Sequence, residues 1–190
     1  MSSLRHYRDD GPLVELLAAA VRRPPVAALP WSLAAGVPLL AVLVLPERAP
    51  LALALTVPLA AGVAAVAHRS AADGRLDWLV TPLLRAAEYG ALLRLAALDG
   101  PATVPACYSL LAALAYHHYD LVYRLRDRGE QPSRWLRRAG LGWEGRLLGA
   151  AVLAATGSLR VGLYGTAGVL LVTYVTEGVL SWRRTGPAAA

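Results

Sequence analysis

The feature that most constrains this chain is a series of apolar runs, each close to the thickness of a bilayer in length, separated by short segments that carry most of the charge. A hydrocarbon core about 30 Å thick takes roughly 20 helical residues to cross. Runs of that order occupy residues 26–45, 51–67, 78–97, 103–123, 143–159 and 161–182. Lipid offers no partner to backbone N–H and C=O groups, so such runs are expected to be helices. A composition of 56% hydrophobic and 17% charged residues, with mean hydropathy +0.45, argues against an ordinary soluble domain of 190 residues. The expected fold is therefore an all-α, polytopic integral membrane protein with six transmembrane helices over residues 26–183 and a short tail at 184–190. In residues 1–25, Leu13, Val14, Leu16, Leu17 and Val21 put an apolar stripe on a helix ending at Arg22 and Arg23, as in an amphipathic helix lying at the membrane interface.

The arginines give an independent reading of orientation. All 19 basic residues are Arg, and positive side chains collect on the cytoplasmic side of short loops. With the N-terminus inside, 15 of them fall on that side; Arg48 and Arg160 fall outside, and Arg85 and Arg94 lie within spans. Both termini are then cytoplasmic, and a bacterial inner membrane is the expected location. The net charge of +6 finds its counter-charge in the membrane surface, because no basic-aromatic interleaving points to nucleic acid. The one cysteine, Cys107, excludes an intramolecular disulfide framework and a Cys-based zinc site. Gly145 and Gly149, and Gly162, Gly165 and Gly168, form small faces suited to close helix packing.

Ionisable residues within spans are costly, so their helical angles carry information. Asp73, Asp77, Thr81, Arg85 and Glu88 fall within about 120° of one another at 100° per residue. Arg85 and Glu88, three apart, are spaced to pair. Tyr116, His117, Asp120, Tyr123, Arg124 and Asp127 share a side of the fourth run. His117 and His118 are adjacent and point about 100° apart, so at most one of them is expected to be central. Trp143, Glu144 and Arg146 open the fifth run, and Thr173, Tyr174 and Glu177 lie near the inner end of the sixth, where Glu177 is placed for local contacts. Under the arginine-derived orientation nearly all of these groups fall in the cytoplasmic half, where four spans are expected to contribute to one inward-opening polar cavity.

Oxygen ligands from Asp73, Asp77, Asp120 and Glu144 suit Mg²⁺, which commonly binds together with phosphates. Arg85, Arg124, Arg126 and Arg146 suit phosphate oxygens. His117, His118, Asp120, Glu88 and Tyr89 are the catalytic candidates, with an imidazole as acid-base group near neutral pH. No P-loop, GxSxG, HExxH or DDxxD pattern is present.

The strings DGRLDWLVTPLLRAAEYG from Asp73 and AYHHYDLVYRLRDRGEQPSRWLRRAGLGWEGR from Ala115, with the exit at Trp182, resemble an actinobacterial membrane domain without assigned activity. That domain usually stands C-terminal to CDP-alcohol phosphotransferase domains. The resemblance implies a place near phospholipid or polyol-phosphate metabolism and a CDP-alcohol phosphotransferase as partner. The phosphotransferase motif itself is absent, since Asp73-Gly74 is followed by Leu76-Asp77 rather than by Ala-Arg. The expected function is a membrane-embedded enzyme that transfers or removes a phosphorylated group on a lipid-like or isoprenoid substrate. A non-catalytic accessory or scaffold protein is the second reading, and a small proton-coupled transporter using Glu88 and Glu177 the third.

Overall fold

A computed structural model describes residues 9–21, 28–41, 49–69, 77–128 and 134–184 of the chain. Helices α1 (Pro12–Ala20), α2 (Ala28–Ala41), α3 (Ala49–Arg69), α4 (Val80–Asp99), α5 (Val104–Tyr123), α6 (Arg134–Ala139), α7 (Gly142–Ala155) and α8 (Leu159–Arg184) account for nearly all of them. A 3₁₀ turn, Asp77–Leu79, leads into α4, a π turn, Arg124–Arg128, extends α5, and no strand occurs among the described residues.

Each of the six apolar runs coincides with a helix, α2 to α5, α7 and α8. Among the described residues two helices are long and apolar enough to cross a membrane, through Pro50–Arg69 of α3 and Leu159–Arg183 of α8. Six spans are therefore not established, for two physical reasons. The described parts of α2 and α7 are 14 residues each, about 21 Å of helix against a core of about 30 Å. Helices α4 and α5 are 20 residues each, but Arg85, Glu88, Arg94 and Asp99 interrupt the one and His117, His118 and Asp120 the other.

The bundle is organised around α3, which packs on α2, α7 and α1, while α4 joins α2, α7 and α5, and α8 lies along α5. Four fully buried alanines, Ala60, Ala61, Ala64 and Ala65, let neighbouring helices approach the backbone of α3 closely. Pro58 lies inside α3 without ending it. The glycine faces expected from sequence are mostly unused. Gly149, Gly165 and Gly168 face open space, whereas Gly162 sits under the Leu153 side chain where α7 meets α8.

Helix α1 is joined to the bundle. Val14 and Ala18 are buried against it, Leu13, Leu17 and Val21 pack partly, and Leu16 points outward. Pro12 supplies the preset φ of a first helical residue, but no side chain of the segment itself caps the helix. The cap comes from α7, more than a hundred residues away: the Glu144 carboxylate accepts hydrogen bonds from the N–H groups of Gly11 and Val14, both at 3.1 Å. A carboxylate there meets two orphan donors and the positive end of the helix dipole together. The contact requires Gly11 and Gly142 to lie backbone on backbone, with no room for a Cβ on either.

Candidate active site

Because α1 is anchored on α7, the residues just before it enter the bundle. Asp9 takes a φ of 53°, a left-handed conformation that costs a non-glycine residue strain and persists only where its surroundings hold it. Its side chain is 7% exposed. Arg146 of α7 donates from Nη2 to Asp9 Oδ2 at 2.8 Å, from Nε to Glu88 Oε1 of α4 at 2.6 Å, and from Nη1 to the Gly140 carbonyl at 2.9 Å. Burial pushes the Asp9 carboxyl upward, but Arg146, the His118 hydrogen bond and His117 outweigh it and hold the group well below the usual carboxylate range.

On the other side of Asp9 stands α5. His118 Nε2 lies 3.3 Å from Asp9 Oδ2, and His117 Nε2 lies 3.9 Å from Asp9 Oδ1. Both adjacent histidines therefore address one group, against the expectation that only one would. The carboxylate has two oxygens and arrives end-on, so two rings about 100° apart each meet a different oxygen. His118 Nδ1 is 2.8 Å from the Tyr89 hydroxyl of α4, and His117 stacks on Tyr174 of α8 with ring centroids 4.0 Å apart. Asp10 turns the opposite way, taking hydrogen bonds from His68 Nδ1 at 2.9 Å and Trp143 Nε1 at 3.3 Å.

A second group of charges joins α5 to α8. Arg124 meets Asp120 and Glu177, each at 2.6 Å. Asp120 is one helical turn before Arg124, as the spacing predicts. Glu177 was expected to find contacts within α8 and instead reaches across to α5. Glu88 likewise has a partner beyond its own helix, since Arg146 of α7 reaches its carboxylate. Arg85 remains close enough to Asp9, Tyr89 and Glu88 to interact with all three electrostatically.

Of the catalytic candidates, Glu88, Tyr89, His117 and His118 come together around Asp9, while Asp120 is engaged by Arg124. Of the phosphate candidates, Arg146 and Arg124 carry internal carboxylate partners, Arg85 borders the Asp9 cluster, and Arg126 is exposed. Of the metal candidates, Glu144 caps α1 and Asp120 is paired, Asp73 lies outside the described residues, and so does the Asp77 side chain. Among the described residues no group of three or more His, Cys, Asp or Glu is placed to hold a metal ion. Of the expected Mg²⁺ ligands only Asp120 and Glu144 have described side chains, and they are engaged separately, one by Arg124 and the other by the start of α1.

Sequence reasoning missed Asp9, Asp10 and His68. The signal available was Asp9-Asp10-Gly11 directly before Pro12, two acids and a glycine at the mouth of an apolar helix. A polar terminal segment reads as a solvated tail, and nothing local shows it folded inward.

The chain belongs to a family of unknown function (DUF5941), whose model matches residues 1–190. No curated protein and no solved structure matches it.

Proposed function

For this member of that family, we propose a membrane-embedded enzyme that acts at the cytoplasmic face on a phosphorylated or diphosphorylated lipid-like substrate, by transfer or removal of the phosphorylated group. The observation that carries the reading is the meeting of Asp9, Glu88, Tyr89, His117, His118 and Arg146 in one buried cluster. Ionisable groups inside a helical bundle are expensive, and hydroxyl, imidazole and carboxylate in hydrogen-bonded sequence form proton-transfer machinery.

The setting supports a lipid substrate. Only 33% of the apolar window of α8 is buried within the bundle, so most of that helix presents an apolar face to its surroundings. Exposed Trp78, Tyr119, Trp135 and Trp182 lie at the helix ends nearest the cluster, and exposed Tyr108 and Tyr164 lie toward the opposite ends, as in the aromatic belts of two membrane interfaces. With six spans and both termini cytoplasmic in a bacterial inner membrane, the cluster is at the inner leaflet, where Arg85 and Arg126 meet a phosphate. A CDP-alcohol phosphotransferase fits as a neighbour in such chemistry.

The internal pairing of Arg146 and Arg124 favours a second reading, a non-catalytic accessory module for a phosphotransferase. One experiment separates them. The full chain in lipid nanodiscs is melted with and without hexadecyl phosphate, and with hexadecanol as the uncharged control. The enzyme reading expects stabilisation by the phosphate alone, diminished in Arg85→Gln. Equal effects of phosphate and alcohol, unchanged by that substitution, favour the accessory reading.

A further inference from the structure

We propose that Tyr89, His118 and Asp9 form a hydroxyl–imidazole–carboxylate relay in which the Tyr89 hydroxyl is the nucleophile toward a phosphoryl group. The proposal rests on the phosphorylated-lipid reading for its substrate and on the geometry alone for its chemistry.

Hydrogen-bond directions follow from the groups. An ionised Asp9 can only accept, so His118 Nε2, 3.3 Å from its Oδ2, carries the proton. In the neutral ring Nδ1 then keeps its lone pair, and the Tyr89 hydroxyl, 2.8 Å away, donates to it. The order is that of an activated-hydroxyl triad: an acceptor imidazole against the hydroxyl, its tautomer fixed by a buried carboxylate behind it. His118 in the middle is buried and the Asp9 side chain is 7% exposed, while Tyr89 keeps part of its surface accessible.

The surrounding charges match the charge that moves. When the Tyr89 proton passes to His118, an imidazolium forms beside Asp9 and a phenolate forms one helical turn from Arg85, whose guanidinium interacts with Tyr89. The imidazolium faces the Asp9 carboxylate, and the phenolate is set between Arg85 and Arg146, which favour it, and Glu88, which opposes it. Arg146 does not cancel this arrangement, because Glu88 shares it with Asp9. In the reaction, Tyr89 Oη bonds to phosphorus as its proton goes to His118 Nδ1. The bond from phosphorus to the substrate alcohol oxygen breaks, and that oxygen takes the proton back from His118. Water then attacks the tyrosyl phosphate with His118 as base, and the Tyr89 oxygen leaves as phenolate and recovers the proton. The net change is hydrolysis of a phosphate ester to alcohol and inorganic phosphate. Asp9 touches no substrate; it is a positioning residue acting through His118.

The test uses hexadecyl fluorophosphonate on the full chain in nanodiscs, with adducts mapped by mass spectrometry across its eight tyrosines. Tyr119, which is 72% exposed, is the internal comparison, because reactivity governed by exposure would favour it. The expected result is preferential modification at Tyr89, slowed about 10²–10⁴-fold in His118→Gln and more than about tenfold in Asp9→Asn. Where Asp9→Asn also lowers the melting temperature through Arg146, the ¹⁵N signature of the His118 ring decides. It should show the proton on Nε2 in the wild type and a loss of that preference in Asp9→Asn, which a merely structural role would not produce. Modification of Tyr89 no faster than Tyr119, or unchanged in His118→Gln, overturns the relay even if hexadecyl phosphate stabilises the protein. Relay-dependent modification that hexadecyl phosphate fails to slow leaves the relay standing and removes the phosphorylated-lipid reading.

Discussion

Two charge clusters lie in the same half of the bundle and are built on opposite plans. Around Arg124, one guanidinium meets two carboxylates, one of them its own neighbour a helical turn away, and the contact joins only α5 to α8. Around Asp9, the N-terminal segment, α4, α5 and α7 all contribute, and the ion pairs are bordered by a phenol and two imidazoles. The first arrangement neutralises charge and does nothing else that its chemistry indicates. The second surrounds a strained, buried acid with groups able to move a proton. An ion pair needed only for docking α1 would not require His118 between Asp9 and Tyr89. Glu144 and the Gly11–Gly142 contact already secure that helix.

The largest expected effect breaks the comparison at its centre. Arg146→Met leaves Glu88 and Asp9 buried without their shared cation and should cost about 3–5 kcal/mol of stability. Arg124→Met makes the same chemical change at the other cluster, where Asp120 keeps 15% of its side chain exposed, and should cost about 1–2 kcal/mol. Chemical denaturation of both variants in one detergent measures the difference, and equal losses would erase the distinction between the clusters. Between these two falls Gly142→Ala. A Cβ there meets the Gly11 backbone and the residue has a φ of 63°, so a loss of about 1–3 kcal/mol is expected, with α1 the first element to gain hydrogen exchange.

The smallest effect is a pH dependence that sharpens the comparison. The folded Asp9 carboxyl is held below its unfolded value of 3.8, so its contribution is present above that value and is lost as pH falls toward the folded one. The melting temperature should drop between about pH 5 and pH 3, and drop less steeply in Asp9→Asn. A matching slope in both proteins would mean that other carboxylates carry the acid response.

How much of this was legible in the sequence depends on the range of the interaction. Bilayer-length apolar runs located α2 to α5, α7 and α8, because a helix is specified by its own residues. The pairing of Asp120 with Arg124 was legible for the same reason. Glu88, Tyr89, His117, His118 and Arg146 were visible as polar residues in apolar surroundings, but their partners were not. Asp9 stands 109 positions from His118 and 137 from Arg146, and no periodicity connects such positions. Arg146 as a partner of Glu88 was hidden for the same reason, since spacing shows only which side chains of one helix are able to meet.

The site depends on Asp9 being an inserted member of the cluster that acts on His118. A double-mutant cycle on folding stability, using Asp9→Asn and His118→Gln singly and together, tests this most directly. Contact through a buried hydrogen bond predicts non-additivity of about 0.5–3 kcal/mol, with the double variant less destabilised than the sum of the single ones. Additivity within about 0.3 kcal/mol would mean that the two residues do not share an interaction, and would contradict the site as described.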